Sequence, residues 1–165
     1  MKRSLKYIPD LMAVFMAAVF LDSLRFKFTD HPNTQEIFGR LDGWAGTLGA
    51  AGLFAHTGLF SQFVIGAIEL LAATLLIVGL HPRFKPLQAG GALAGLLVMT
   101  GAVSFHLFTP LGIDPNNDGA GLFFAACLNL TFAALLLGLF RREALAELLR
   151  RAVAVAAPSR MQGQD

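Results

Sequence analysis

The sequence lacks paired cysteines. Cys127 is the only cysteine among 165 residues, so the chain can form no internal disulfide and contains no C-x-x-C motif. Small four-helix membrane enzymes that pass disulfides to quinone require cysteine pairs, and the composition therefore excludes that class of function.

Charged residues are also scarce. They make up 15% of the chain, against roughly 25% in soluble domains, while apolar residues make up 55%. So few charges cannot cover a water-facing surface, and the composition indicates an integral membrane protein of one all-α domain. No basic patch interleaved with aromatic residues is present in the sequence, which argues against nucleic acid as a partner.

Long apolar runs predict four membrane-spanning helices that pack as a bundle. We place the spans at about 8–26, 60–80, 87–107 and 122–140, in a single domain of residues 1–155 followed by a flexible cytoplasmic tail at 156–165. A signal peptide is the alternative for the first run, but Asp10 interrupts its change from charged to apolar residues and no A-x-A site follows. A retained first helix is therefore preferred.

The segments between the spans carry shorter signals. Asn33 and Glu36 resemble a capping box, which predicts a short extracytoplasmic helix ending near Gly43. The glycine-containing segment 45–58 is expected to lie at the interface or to re-enter the membrane, because a fifth crossing would place the basic C-terminal segment outside. Residues 143–155 show the pattern of an amphipathic helix on the membrane surface.

The distribution of cations predicts the orientation. Ten of the thirteen Lys and Arg residues lie in the N-terminal segment, the turn at 81–86 and the C-terminal segment. With four spans these three segments share one side of the membrane. By the positive-inside rule, both termini are predicted to be cytoplasmic.

Glu69 is the single charged residue in the second apolar run, Phe63–Leu80. An acidic side chain at the centre of a spanning helix costs about 3 kcal/mol and is usually partnered inside the protein. The polar residues of the four helices lie at similar distances from the outer ends of the spans. They are therefore expected to form one cluster that opens toward the outside. Its predicted members are Asp22, Arg25, Lys27, Glu69, His106 and Asn129. The candidate partners of Glu69 are Arg25, Lys27 and His106, of which His106 or Arg25 is preferred.

Each member also has a purely structural interpretation. Glu69 fits a buried hydrogen-bonding or protonated group, and Arg25 and Lys27 fit side chains that reach out to the interface. His106 fits a histidine wetted by the adjacent loop, and Asn129 fits a polar contact between helices.

No metal site is predicted. The histidines on the outer side lack the spacing of metal ligands. The segment Asp114–Gly119 matches the first half of a calcium-binding loop, but Ala125 stands where the bidentate glutamate is required. Asp118 is instead expected to cap the fourth helix.

Several short motifs occur together in this chain. They are Arg25–Phe28 at the end of helix one, G-x-x-E from Gly66 to Glu69, Gly79 before a basic turn, His106 at the end of helix three and Asp118-Gly119 before helix four. Over most of residues 8–140 the chain thereby resembles the DoxX-like family of small four-helix membrane proteins, although Ser23 and Leu24 stand where a glycine is expected. The resemblance implies a bacterial inner-membrane protein with a redox or oxidative-stress connection. The family includes a small membrane subunit of thiosulfate:quinone oxidoreductase.

Three functions remain open from the sequence. The first is a membrane subunit or anchor for a soluble or membrane redox partner. No cofactor is assigned to the chain in this function, and quinone is the candidate. The second is a small proton-coupled transporter in which Glu69 carries the proton, and four spans would then require a homo-oligomer. The third is an assembly factor without chemistry of its own.

Overall fold

The computed structural model describes residues 6–156, and every regular element in that part of the chain is helical. The helices are α1 (Ile8–Phe28), α2 (Pro32–Thr47), α3 (Gln62–Val78), α4 (Lys85–Phe108), α5 (Gly121–Leu135) and α6 (Arg142–Ala156). A 3₁₀ turn at Pro82–Phe84 leads into α4, and a π turn at Leu136–Phe140 extends α5. The all-α prediction is confirmed for these residues. Residues 157–165 of the predicted tail lie outside the described part.

Helices α1, α3, α4 and α5 form a ring in which each packs against the next, and α5 returns to α1. Their shared core consists largely of small side chains, which let helix axes approach closely. Eight alanines are buried in it: Ala13, Ala17, Ala72, Ala73, Ala89, Ala92, Ala126 and Ala133. Met16, Phe20, Leu76 and Leu136 fill the remaining volume.

Two glycines of α4 mark the closest approaches. A β-carbon at Gly91 would lie 2.8 Å from the carbonyl oxygen of Ala72 and 2.9 Å from the backbone nitrogen of Leu76, so α4 lies directly against α3 there. A β-carbon at Gly95 would lie 3.1 Å from side-chain atoms of Met16 and Phe20 on α1. Gly91 and Gly95 thus allow close contacts of α4 with two neighbouring helices.

Among the described residues, two helices are long and apolar enough to cross a membrane, Pro82–Phe108 and Gly121–Phe140. Helix α3 has 17 residues and is therefore about 26 Å long, slightly less than the ~30 Å hydrocarbon core. Helix α1 has 21 residues but carries four charged side chains along its length. Helix length and composition therefore support two spans, and the assignment of α1 and α3 as further spans is part of the proposal below.

Helix α2 differs from its prediction at both ends. It begins at Pro32, and the Nδ1 atom of His31 accepts a hydrogen bond from the backbone N–H of Asn33 at 3.2 Å. The capping box predicted at Asn33 is therefore wrong, because a proline at the first helical position fixes the start two residues earlier, with His31 as the N-cap. The helix also continues to Thr47, beyond the predicted end near Gly43.

Residues 48–61 form an irregular segment, so no fifth spanning helix occurs there. Gly49 and Gly52 adopt left-handed φ angles of 81° and 86°, which favour glycine. Phe54 of this segment packs with Leu41 of α2 and with Leu111 in a second, smaller core. This core lies over one end of the ring.

The predicted cap of the fourth helix is also wrong. Helix α5 begins at Gly121 after Ala120, which adopts a left-handed φ of 60° and provides no side-chain cap. The carboxylate of Asp114 accepts hydrogen bonds from the backbone N–H groups of Asp118, at 2.9 Å, and Gly119, at 3.2 Å. These hydrogen bonds, the one from Asp118 above all, hold the pKa of Asp114 below its ordinary value. Asp114 thus organises the loop before α5, and no side chain caps the helix itself.

The amphipathic helix predicted at 143–155 is present as α6. Ala144, Leu145 and Leu148 pack against the ring. Glu147 accepts a hydrogen bond from Arg151 at 2.7 Å, and this contact lowers the pKa of Glu147.

Candidate functional site: a buried ion pair between α1 and α3

Glu69 lies on the face of α3 that packs against α1. That face repeats every three or four residues, as helical geometry requires, and its buried members are Gln62, Gly66, Glu69, Ala72, Ala73 and Leu76. The side chain is 4% exposed, so the carboxylate is buried inside the bundle. An isolated charge in such a place would be costly, and the neighbouring helix provides its compensation.

Lys27 and Ser23 of α1 bind the carboxylate. The Nζ atom of Lys27 lies 2.9 Å from Oε2 and 3.1 Å from Oε1 of Glu69. The hydroxyl of Ser23 donates a hydrogen bond to Oε2 at 2.6 Å and accepts one from Lys27 Nζ at 3.2 Å. Both carboxylate oxygens are therefore engaged, and the three side chains form a closed set of charge-assisted hydrogen bonds.

The direction of α1 explains why Lys27 is the partner of Glu69. Side chains on an α-helix lean toward its N-terminus, and Lys27 is the penultimate residue of α1. Its long side chain therefore points back along the bundle toward Glu69. Ser23 lies one turn earlier on the same face, which places its hydroxyl between the two charges.

Gly66 leaves room for the lysine side chain. A β-carbon at this position would lie 3.2 Å from the ring of Phe28 and 3.5 Å from Cδ of Lys27. Gly66 and Glu69 are the two defined positions of the G-x-x-E motif. The motif thus combines the charged group with the space through which its partner approaches.

Asp22 and Arg25 do not join this set. They form an ion pair with each other at 2.8 Å, and their side chains are 62% and 71% exposed. The predicted pairing at i,i+3 is present, but on the outer face of α1. Arg25 is two residues from Lys27 and thus on nearly the opposite side of the helix, so it cannot be the partner of Glu69.

His106 is likewise separate from Glu69. It is buried, its Nδ1 atom lies 2.6 Å from the carbonyl oxygen of Gly112, and its ring contacts Phe123 edge-on at 5.5 Å. These contacts attach the loop after α4 to the bundle. The expectation that His106 pairs with Glu69 is therefore corrected, because the imidazole is directed to a backbone carbonyl.

Asn129 is the remaining predicted member. It is fully buried on α5, and neither atom of its side-chain amide has a hydrogen-bond partner among the described residues. The structure therefore brings two of the six predicted residues together, Lys27 and Glu69. Ser23 was missed, although its spacing of four residues from Lys27 is a signal for a shared helical face.

A second polar group secures the end of α1 that carries Lys27. The buried amide of Gln62 donates hydrogen bonds to the backbone carbonyl of Lys27 at 2.7 Å and to Asp30 at 2.6 Å. Its oxygen accepts a hydrogen bond from Gln35 of α2 at 2.8 Å. A cavity of about 190 Å³ is lined by Gln62 together with Gln35, Asp42 and His56. Lys27 and Glu69 are not among the residues that line this cavity.

A third polar group joins the opposite end of the ring. Lys85 Nζ lies 2.5 Å from Oδ1 of Asp10, and the amide of Gln88 donates to the same oxygen at 3.2 Å. Arg141 donates to the amide oxygen of Gln88 at 2.8 Å. The start of α1, the start of α4 and the end of the π turn are therefore connected by side chains.

Within residues 6–156, no group of three or more histidine, cysteine, aspartate or glutamate side chains is placed to hold a metal ion. Comparison of the chain with protein-family models, with curated proteins and with solved structures found no match.

Proposed function

We propose that this chain is a bacterial inner-membrane protein in which α1, α3, α4 and α5 span the bilayer with both termini cytoplasmic, and that it is a DoxX-like membrane subunit supporting a quinone-linked redox partner. The observation that carries the membrane location is the distribution of polar groups, whereas the redox role rests on the resemblance of short motifs to the DoxX-like family. Charge inside the bundle is paired between α1 and α3, and the outward surface of the ring is apolar apart from the Asp22–Arg25 pair near the end of α1.

Exposed apolar side chains occur on all four helices of the ring. They include Leu11 and Val14 on α1, Leu70 and Leu71 on α3, Leu97 on α4, and Phe124 and Leu128 on α5. Exposure of this apolar surface to water would cost free energy, whereas the acyl chains of a bilayer would cover it without that cost. The shortfall of α3 relative to the hydrocarbon core is a few ångströms, which a bilayer accommodates at a fraction of a kcal/mol per ångström.

The contacts of Glu69 favour a supporting subunit over a proton carrier. A carrier carboxylate has to exchange its proton with a pathway to either side of the membrane. Both oxygens of Glu69 are instead held by Lys27 and Ser23, and neither Lys27 nor Glu69 lines the nearby cavity. The pair therefore fits a fixed connection between α1 and α3.

Membrane insertion is tested first. Membranes from cells that express the chain are washed with alkaline carbonate, and the chain is expected to stay in the pellet. Release into the supernatant would contradict an integral membrane protein.

The redox role is tested by deleting the gene in its host. Quinone reduction by isolated membranes is measured with a panel of electron donors that includes thiosulfate, sulfide, succinate and NADH. We expect the rate with one donor to fall and to recover when the wild-type chain or the Cys127→Ala variant is returned. Unchanged rates with every donor, while the returned chain is present in the membrane, would refute the redox assignment and leave membrane insertion standing.

A further inference from the structure

Helix α6 carries an apolar flank that the ring does not cover. Leu149 and Val153 are 51% and 67% exposed, and their spacing of four residues places them on one side of the helix. The residues that pack on the ring, Ala144, Leu145 and Leu148, occupy the adjoining part of the same apolar face, since Leu145 and Leu149 are also four residues apart. Helix α6 therefore has one broad apolar face, of which one edge packs within the protein and the other edge is directed outward.

Arginines border the outward flank. Arg142 precedes Leu149 by seven residues, which is about two turns, and Arg150 precedes Val153 by three residues. Arg150 shares Glu147 with Arg151, so one carboxylate compensates two arginines. Apolar side chains edged by cations are the pattern of a helix that lies in a membrane interface.

The charge on this side of the protein is predominantly positive. On the side of the membrane to which the proposed topology assigns α6, residues 6–156 contain seven Lys and Arg side chains and three Asp and Glu side chains. Anionic phospholipid headgroups complement such a surface, and each cation near it strengthens attraction by about 1 kcal/mol, or roughly fivefold in the equilibrium. A zwitterionic leaflet provides no such attraction.

We propose that the outward flank of α6 docks on the cytoplasmic leaflet, with Leu149 and Val153 inserted among the headgroups, and that Arg142 and Arg150 make this docking selective for anionic phospholipid. The inference rests on the proposed membrane location of the ring. It adds a lipid-binding surface that the ring itself does not require.

The test uses the full chain, in a Cys127→Ala background, reconstituted in nanodiscs of phosphatidylcholine alone or mixed with phosphatidylglycerol. A fluorescent probe is attached at Val153→Cys or, as a matched control, at its neighbour Ala154→Cys, which lies on the side of Glu147. Lipids with a nitroxide near the headgroup quench probes in contact with the leaflet. We expect strong quenching at 153 and weak quenching at 154, and the quenching at 153 should increase with phosphatidylglycerol.

Arg142→Gln is expected to lower the docking equilibrium in anionic discs by about fivefold. Arg151→Gln removes the same charge from the other side of α6 and should change docking less than twofold. Equal quenching at 153 and 154, equal quenching in the two lipid compositions, or equal effects of the two arginine variants would each overturn the inference. A chain that does not remain in the discs would instead contradict the membrane location, so the two failures are distinguishable.

Discussion

Replacement of Lys27 by methionine is expected to destabilise the bundle strongly, because it strands the buried carboxylate of Glu69. Removal of one member of a buried ion pair generally costs about 3–5 kcal/mol. The carboxylate is 4% exposed and would keep only the hydroxyl of Ser23. For a domain of this size the loss corresponds to a fall in the unfolding temperature of roughly 6–20 °C.

The reciprocal change should cost less. In Glu69→Gln the stranded charge is the ammonium group of Lys27, whose side chain is 13% exposed and begins at the end of α1. It can turn toward the headgroups, as long cationic side chains do near helix ends. The double variant removes both charges and leaves neither one unpaired. Its loss of stability should therefore be smaller than the sum of the two single losses by at least about 2 kcal/mol.

The assay is the fraction of monodisperse protein after heating in detergent, measured by size-exclusion chromatography for the wild type, the two single variants and the double variant. The exposed pair on the same helix provides the control. Asp22→Asn and Arg25→Gln should each change stability by less than about 1 kcal/mol, as is usual for surface pairs. Strict additivity of the Lys27 and Glu69 changes, or equal effects of Lys27→Met and Arg25→Gln, would refute the ion pair as a buried connection.

Three further outcomes are expected. Gly91→Ala should disrupt the contact of α4 with α3 and lower the stability in the same heating assay, because the new β-carbon would lie 2.8 Å from a backbone oxygen. Gly90→Ala should leave the stability unchanged, because the nearest neighbour of its β-carbon would lie at 3.7 Å. The stabilising effect of Asp114 is fully present above its ordinary pKa near 3.8 and is lost as the pH falls through the lower pKa of the folded state, so Asp114→Asn should flatten the decline of stability in acid. Reporter fusions after Lys85 should read as cytoplasmic and fusions near Asn116 as external, and the opposite result at Asn116 would exclude the proposed topology.

The helices of the ring could be predicted because long apolar runs bounded by polar turns leave few alternatives. The predicted bounds of 60–80 and 87–107 differ from those of α3 and α4 by only two residues at most. The predictions that failed were the ends of α2 and the side-chain cap of α5, where backbone geometry decides. A proline fixes one start, and a left-handed Ala120 replaces the expected side-chain cap at the other.

The partner of Glu69 could not be predicted from depth alone. Depth places Arg25, Lys27 and His106 at similar distances from the outer end of the bundle, but which of them faces α3 depends on the rotation of each helix about its axis. That rotation follows from how each helix packs against the alanine-rich core. A single sequence does not specify this rotation. The lean of Lys27 toward the N-terminus of α1 was the usable signal, together with Ser23 one turn away.

The polar contacts at the two ends of α1 have a consequence for motion within the bundle. Asp10 holds one end of α1 to α4, and Lys27 holds the other end to α3. A piston-like slide of α1 by one residue, about 1.5 Å, would break both contacts at once. Helix α5 differs: between Gly121 and Leu135, none of its side chains makes a hydrogen bond to another helix among the described residues. Any rocking of the ring should therefore take place at the Gly121 end of α5, because Arg141 holds the other end to Gln88 of α4, while α1, α3 and α4 move as one rigid body.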